Sequence, residues 1–253
     1  DQQKFVCVGL DPDIKKFPQI ILSKNKTIQS QIFEFNKALI DETHDLVCCY
    51  KPNTAFYEKY GVEGWEALIK TTAYIKSAYP KIPILLDSKR GDIENTNGGY
   101  VTSAFDIVGA DGVTVQPYQG GLAIKPFLDR KDKMTFVLVK TSNKGSDEFQ
   151  NLKVGEKFLY EIVSEQVVSA WNKNENCGVV VGATYPKEMI AVRKIVGDLP
   201  ILIPGIGSQG GNIRETIQAG KNSKNQGMII NSSRGIIYAS NEKDFAQAAR
   251  KET

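Results

Sequence analysis

Short β-branched runs that end in polar residues alternate with longer stretches of helical period, and the alternation repeats eight times along the chain. Strands separated by helices cannot pair as tight hairpins, because each crossover returns the chain in the same direction, so this pattern dictates a parallel sheet covered by helices. The strand-like runs fall at residues 5–10, 46–51, 82–87, 112–115, 135–140, 178–181, 201–203 and 227–231. Helical period is found at 28–43, 63–78, 94–108, 122–128, 155–171, 186–196, 212–219 and 242–251. Within 63–78, for example, Trp65, Leu68, Ile69 and Ile75 form an apolar stripe, while Glu63, Glu66, Lys70 and Lys76 fall on the polar side. Eight such units in 253 residues leave about 32 residues for each, so the whole chain, 1–253, is expected to be one α/β domain, a (β/α)8 TIM barrel. A doubly wound sheet is the competing arrangement. It calls for a glycine-rich dinucleotide turn after the first strand, where Gly9-Leu10-Asp11-Pro12-Asp13 offers a single glycine.

Composition narrows the function. Thirty-two basic against 29 acidic side chains leave a formal charge of +3, and the charges are spread along the sequence, which argues against nucleic-acid or membrane partners. No apolar run approaches the roughly 18 residues of a membrane span, and the chain opens without a signal-like segment, so it reads as cytoplasmic. Cys7, Cys48, Cys49 and Cys177 all sit in apolar runs, as small buried thiols of a reducing compartment do. His44 is the only histidine and lies at the end of an amphipathic stretch, where a helix-terminal surface residue is expected. Zinc sites and histidine-based hydrolysis are thereby demoted.

In a parallel barrel the C-terminal ends of the strands converge on one face, where catalytic groups are built. Here those ends carry Asp11; Lys51 and Asn53; Asp87, Lys89 and Asp92; Lys140 to Asn143; Pro204 to Gln209; and Asn231 to Arg234. Asp87 and Lys89 are two apart on an extended segment and so project to the same side. A lysine among carboxylates stays protonated, which suits a proton donor better than a nucleophile. With Lys51 at a neighbouring strand end, so many charges would be costly as structure alone. The glycine-rich turn Pro204-Gly205-Ile206-Gly207-Ser208-Gln209-Gly210-Gly211 and the turn Asn231-Ser232-Ser233-Arg234-Gly235 follow the seventh and eighth strands, where barrels commonly bind phosphate. A phosphorylated small molecule held with its reacting atom over a lysine–aspartate cluster fits decarboxylation with direct protonation.

The segment Asp87-Ser88-Lys89-Arg90-Gly91-Asp92-Ile93 resembles the Asp-x-Lys-x-x-Asp signature of the orotidine 5′-phosphate decarboxylase family. The likeness extends through Gly9-Leu10-Asp11-Pro12-Asp13, Tyr50-Lys51-Pro52-Asn53, Lys140-Thr141-Ser142-Asn143-Lys144, Val181-Gly182-Ala183-Thr184, Pro204-Gly205-Ile206-Gly207 and Arg234-Gly235. The resemblance implies conversion of orotidine 5′-phosphate to uridine 5′-phosphate, the last step of de novo pyrimidine nucleotide synthesis, with no cofactor and no metal. It implies that Lys89 protonates C6 as carbon dioxide leaves, that Asp87 sits beside the substrate carboxylate, and that Lys51 and Asp92 complete an alternating charge network. It further implies a homodimer in which Asp92, Ile93 and Thr96 enter the partner's site. Asp11 and Thr96 would bind ribose hydroxyls, Asn53 would lie near the ribose and the charges, and Ser142 would read the pyrimidine edge. Gln209 and Arg234 would hold the phosphate, with Pro204 also against the substrate. Some branches of that family carry a tyrosine in a longer loop after the seventh strand; residues 208–212 are short and have none.

Three other functions share these residues. Lys140, at a strand end, could trap a carbonyl as a Schiff base. A magnesium-dependent sugar-phosphate decarboxylase or synthase could use the same scaffold, and a catalytically silent barrel could bind a nucleotide for regulation.

Overall fold

The computed structural model describes residues 4–22, 26–206 and 212–253. Eight strands form one sheet: β1 (Val6–Leu10), β2 (Cys49–Pro52), β3 (Leu85–Arg90), β4 (Gly112–Val115), β5 (Met134–Lys140), β6 (Cys177–Val181), β7 (Ile201–Pro204) and β8 (Met228–Ser232). Eight helices follow them in turn: α1 (Ile28–Thr43), α2 (Gly61–Ala78), α3 (Glu94–Val101), α4 (Gly121–Leu128), α5 (Leu159–Gln166), α6 (Pro186–Val196), α7 (Ile213–Gly220) and α8 (Phe245–Glu252). The strand order is β2-β1-β8-β7-β6-β5-β4-β3. Parallel bridges Tyr50↔Ile84 and Asn53↔Asp87 join its two ends, β2 and β3, and the fold class is that of a (β/α)8 barrel. Among the described residues no helix is long and apolar enough to cross a membrane.

The chain divides into two compact units, of which the first comprises residues 1–88, 103–111 and 232–253. Its core is aromatic. Phe35 of α1 stacks on Phe17 with ring centroids 4.2 Å apart, on Phe245 of α8 at 5.4 Å and on Tyr238 at 5.8 Å. Asn36, wholly buried one residue on, donates to the Tyr57 hydroxyl at 3.0 Å and to Thr71 Oγ1 of α2 at 3.2 Å, and the Tyr57 hydroxyl donates to the Leu10 carbonyl at 3.0 Å. A buried amide in an apolar layer must find such partners, and here they tie α1, the short helix Ala55–Glu58 and α2 to the end of β1. His44 caps α1, stacks on Tyr79 at 4.2 Å and meets the Asp41 carbonyl through Nδ1, a helix-terminal role as expected.

The second unit comprises residues 89–102 and 112–231. In it β4, β5, β6 and β7 pair in parallel, with β8 on β7, and Val113, Val115, Val137, Val179, Val181, Ile201 and Ile203 are wholly buried. The register of β5 against β6 slips between Leu138 and Lys140, so Lys140 faces Val181. Gly121 opens α4 flush against Trp171, whose Nε1 would lie 2.3 Å from any added Cβ. Arg193 of α6 donates to the carbonyls of Gly197, Leu199, Gly220 and Gly227, and burial lowers its pKa to about 10. Expected and observed elements differ mainly at their edges. The helix anticipated over 155–171 begins only at Leu159, because Gly155, at φ +63°, turns a two-residue hairpin of Lys153–Val154 and Lys157–Phe158. All four cysteines are free thiols; three are buried and Cys48 is half-buried.

Candidate active site

The first unit places a charged cluster at the ends of β1, β2 and β3. Gly9 pairs with Lys51 across β1 and β2, and Asn53, just past β2, bridges to Asp87. Lys51 Nζ lies 2.8 Å from Asp87 Oδ2, and Asn53 Nδ2 donates to the same oxygen at 3.1 Å. The Thr54 amide donates to the Asp87 carbonyl at 3.3 Å. Asp87 was expected at the end of its strand; instead β3 runs on to Arg90, so Asp87 is held inside the strand and is only 8% exposed.

Lys51 is 3% exposed. Burial alone pushes its pKa down, but the carboxylates of Asp87 and Asp11 outweigh that cost and hold it above the ordinary lysine value. Asp11 closes β1 and is anchored through its carbonyl, which accepts from the Tyr238 hydroxyl at 3.1 Å; the same hydroxyl accepts from the Asp13 amide at 2.6 Å. Asp11 Oδ1 is buried without a hydrogen-bond partner. A buried carboxylate oxygen left in that state is an acceptor suited to a ligand hydroxyl. Arg234 begins the short helix Arg234–Ile237 just after β8 and is exposed.

The second unit carries the rest. Lys89, on the last turn of β3, is exposed, with its backbone at φ +46° and its amide donating to Thr114 Oγ1 of β4 at 2.9 Å. Asp92 Oδ1 accepts from the Ile93 amide at 2.7 Å, and the Asn97 side chain donates to the Asp92 carbonyl, fixing the turn into α3. Ile93 is 65% exposed and Thr96 is exposed on α3. Ser142 is half-buried against Gly182, where an added Cβ would lie 2.7–2.9 Å from Ser142 atoms. Pro204 ends β7 opposite Asn231, and Gly205 follows at φ +101°. Gln209 lies outside the described residues. Among the predicted residues, hydrogen bonds thus join Lys51, Asn53 and Asp87, with Asp11 acting on Lys51 through its charge, whereas Ile93 and Thr96 stand exposed on their own unit.

Lys140 has a different character from a carbonyl-trapping lysine. It is wholly buried, and its ammonium donates to Ser146 Oγ at 2.9 Å, Asp147 Oδ1 at 2.8 Å and Asn151 Oδ1 at 2.9 Å, beneath the Tyr185 ring at 4.3 Å. All three protons are committed, so Lys140 clips down the loop that carries Ser142. This clip, the close approach of Gly182 to Ser142 and the role of Thr114 are not legible in the sequence, although a lone threonine between two valines of a buried strand is a signal for the last. Among the described residues no group of three or more histidine, cysteine, aspartate or glutamate side chains is arranged to hold a metal ion.

Residues 4–249 match the profile of the Orotidine 5′-phosphate decarboxylase / HUMPS family. An orotidine 5′-phosphate decarboxylase of Cellvibrio japonicus is 47% identical over 97% of this chain and 88% of its own. The structure of Leishmania donovani OMP decarboxylase superposes with a TM-score of 0.85 at 39% identity, covering 99% of this chain and 91% of that one. That of Leishmania donovani UMP synthase gives 0.87 at 41% identity, covering 99% of this chain but only 53% of that longer one. The chain therefore belongs to the orotidine 5′-phosphate decarboxylase / HUMPS family and is an enzyme of the carboxy-lyase class.

Proposed function

We propose that the protein decarboxylates orotidine 5′-phosphate to uridine 5′-phosphate, with Lys89 as the proton donor. The observation that carries this reading is the buried Lys51–Asp87–Asn53 cluster at the strand ends, built on the same strand as Lys89. The bond from C6 to the carboxylate breaks, carbon dioxide leaves, and the electron pair left on C6 takes a proton from the Lys89 ammonium, which solvent later restores. Such slow reactions need up to about 20 kcal/mol or more of barrier lowering. Fixed charges that need not reorganise as the carbanion forms supply the largest share. Asp87, pinned by Lys51 and Asn53, stands beside the substrate carboxylate and cannot swing away. Asp11, with its unpartnered Oδ1, accepts from a ribose hydroxyl, and Thr96 contacts a second. Asn53 lies near the ribose, Ser142 reads the pyrimidine edge, Arg234 and Gln209 hold the phosphate, and Pro204 lies against the substrate.

The working unit in this reading is a homodimer located in the cytoplasm. Lys89, Ile93 and Thr96 are exposed in the single chain, as are Tyr118 at 85% and Leu122 at 72%. A second copy covers this apolar surface and brings its own Asp92, Ile93 and Thr96 to the site. Product analysis tests the reaction: incubation with orotidine 5′-phosphate should release carbon dioxide and uridine 5′-phosphate in equal amounts. Borohydride treatment with a sugar phosphate should leave Lys140 unmodified, since its protons are engaged. A reduced adduct on Lys140, with no uridine 5′-phosphate formed, would favour the aldolase reading instead.

A further inference from the structure

We propose that Thr114 is a positioning residue for Lys89: its buried hydroxyl holds the lysine backbone in a left-handed turn and thereby aims the ammonium at the reacting carbon. The inference rests on the reading of Lys89 as proton donor and goes beyond it by naming what sets the lysine's direction.

Left-handed backbone is unfavourable for residues with a Cβ, by about 1–2 kcal/mol. Among the described residues only Lys89, Glu175 and Asn225 adopt it without being glycine. Lys89 alone of the three does so within a strand, where an extended neighbour would keep φ negative. Its amide leaves the backbone ladder and donates to a side chain, Thr114 Oγ1, at 2.9 Å. Thr114 is 1% exposed, so its hydroxyl is out of water, where an unmade hydrogen bond is costly. Being β-branched, it is also stiff about χ1 and presents that oxygen in one direction.

The next two residues are gripped from the same strand end. The Gln116 amide donates to the Arg90 carbonyl at 2.7 Å, and Gly91 lies so close to Gln116 that a Cβ would come 2.7 Å from the Gln116 Cβ. Three consecutive residues, 89 to 91, are therefore registered on β4 and its continuation. The Thr114 contact falls on the lysine itself. A lysine ammonium stands far from its Cα, so a rotation of roughly 10° at the backbone carries it roughly 1 Å, and a misplacement of that size costs on the order of a hundredfold in rate. Substrate affinity, set by the phosphate and ribose contacts, does not depend on that direction.

Steady-state kinetics with orotidine 5′-phosphate test this, together with the inhibition constant of uridine 5′-phosphate and the thermal midpoint of each variant. Thr114→Val keeps the shape and removes the acceptor; kcat should fall roughly tenfold or more while KM and product inhibition stay within about twofold. Thr114→Ser restores the oxygen and should recover most of the loss. A Thr114→Val enzyme with unchanged kcat overturns the inference. So does a joint loss of kcat, substrate affinity, product binding and thermal midpoint that serine fails to rescue, because that marks a purely structural threonine. If Lys89→Ala turns over at the wild-type rate, the reading of Lys89 itself fails; a dead Lys89→Ala beside an unimpaired Thr114→Val removes the Thr114 inference alone.

Discussion

Taking away the Asp87 carboxylate strands a lysine that is almost wholly out of water. Lys51 at 3% exposure owes its ionised state to Asp87 and Asp11, so Asp87→Ala should destabilise the fold by about 3 kcal/mol in urea titrations, the cost of an uncompensated buried charge. The double variant Lys51→Met/Asp87→Leu should regain most of that stability and none of the turnover, separating the pair's structural cost from its chemical use. If the double variant is as unstable as the single one, packing rather than charge governs the site. The acidic and basic residues of the cluster were legible in the sequence because they end apolar runs, where a parallel barrel gathers its chemistry. The parts played by Thr114 and by Lys140, which the sequence offered as a carbonyl trap, were not, because they depend on what lies across from them. One needs the neighbouring strand turn and the other a loop that folds back eleven residues on to Asn151, and neither juxtaposition is written in linear order.

Helices and strands set these side chains through close backbone approach as much as through side-chain bonds. Gly182, just past β6, leaves no room for a Cβ against Ser142, so Gly182→Ala should displace the loop after β5. The expected outcome is a raised KM for orotidine 5′-phosphate together with a loss of about 1–3 kcal/mol in stability, read from paired kinetic and denaturation measurements. An unchanged KM would show that Ser142 does not touch the substrate. Asp41 of α1 accepts from Lys37 one turn earlier at 2.5 Å and joins the helix to α2 by accepting from the Tyr74 hydroxyl and, at 3.0 Å, from the hydroxyl of Tyr79 at the end of α2. Partial burial pushes its carboxyl up, but these donors outweigh it and the folded pKa lies below the ordinary 3.8. Its stabilisation is therefore fully present above that ordinary value and is lost as pH falls through the lower folded one. The gap in urea midpoint between wild type and Asp41→Asn should be constant from neutral pH down to about pH 5 and close below about pH 4. A gap that persists unchanged at pH 3 contradicts this. The helices expected over 28–43 and 186–196 match Ile28–Thr43 and Pro186–Val196, where periodicity is unbroken and a threonine cap or a leading proline marks the start. Residues 155–158 were misread as the start of α5, because only the glycine conformation at residue 155 reveals the hairpin.

At the scale of the whole molecule, the eightfold alternation was enough to specify the closed strand order, since each strand neighbours the next along the chain. Subunit composition was not legible from periodicity, because an exposed Ile93 or Leu122 looks in sequence like any other apolar residue. If Asp92 serves the partner's site, a Lys89→Ala chain mixed with an Asp92→Ala chain should recover activity, about a quarter of wild type for random pairing, because one of the two sites in each mixed dimer is intact. Absence of recovery, with subunit exchange demonstrated by differently tagged chains, would count against a shared site. In the proposed reaction this chain decarboxylates orotidine 5′-phosphate through Lys89 with no metal. The direct measurement is the loss of orotidine 5′-phosphate absorbance on adding chelator-treated protein, wild type and Lys89→Ala side by side. Rapid conversion by wild type and none by folded Lys89→Ala is the predicted result; inert wild type, or a Lys89→Ala enzyme as fast as wild type, contradicts it.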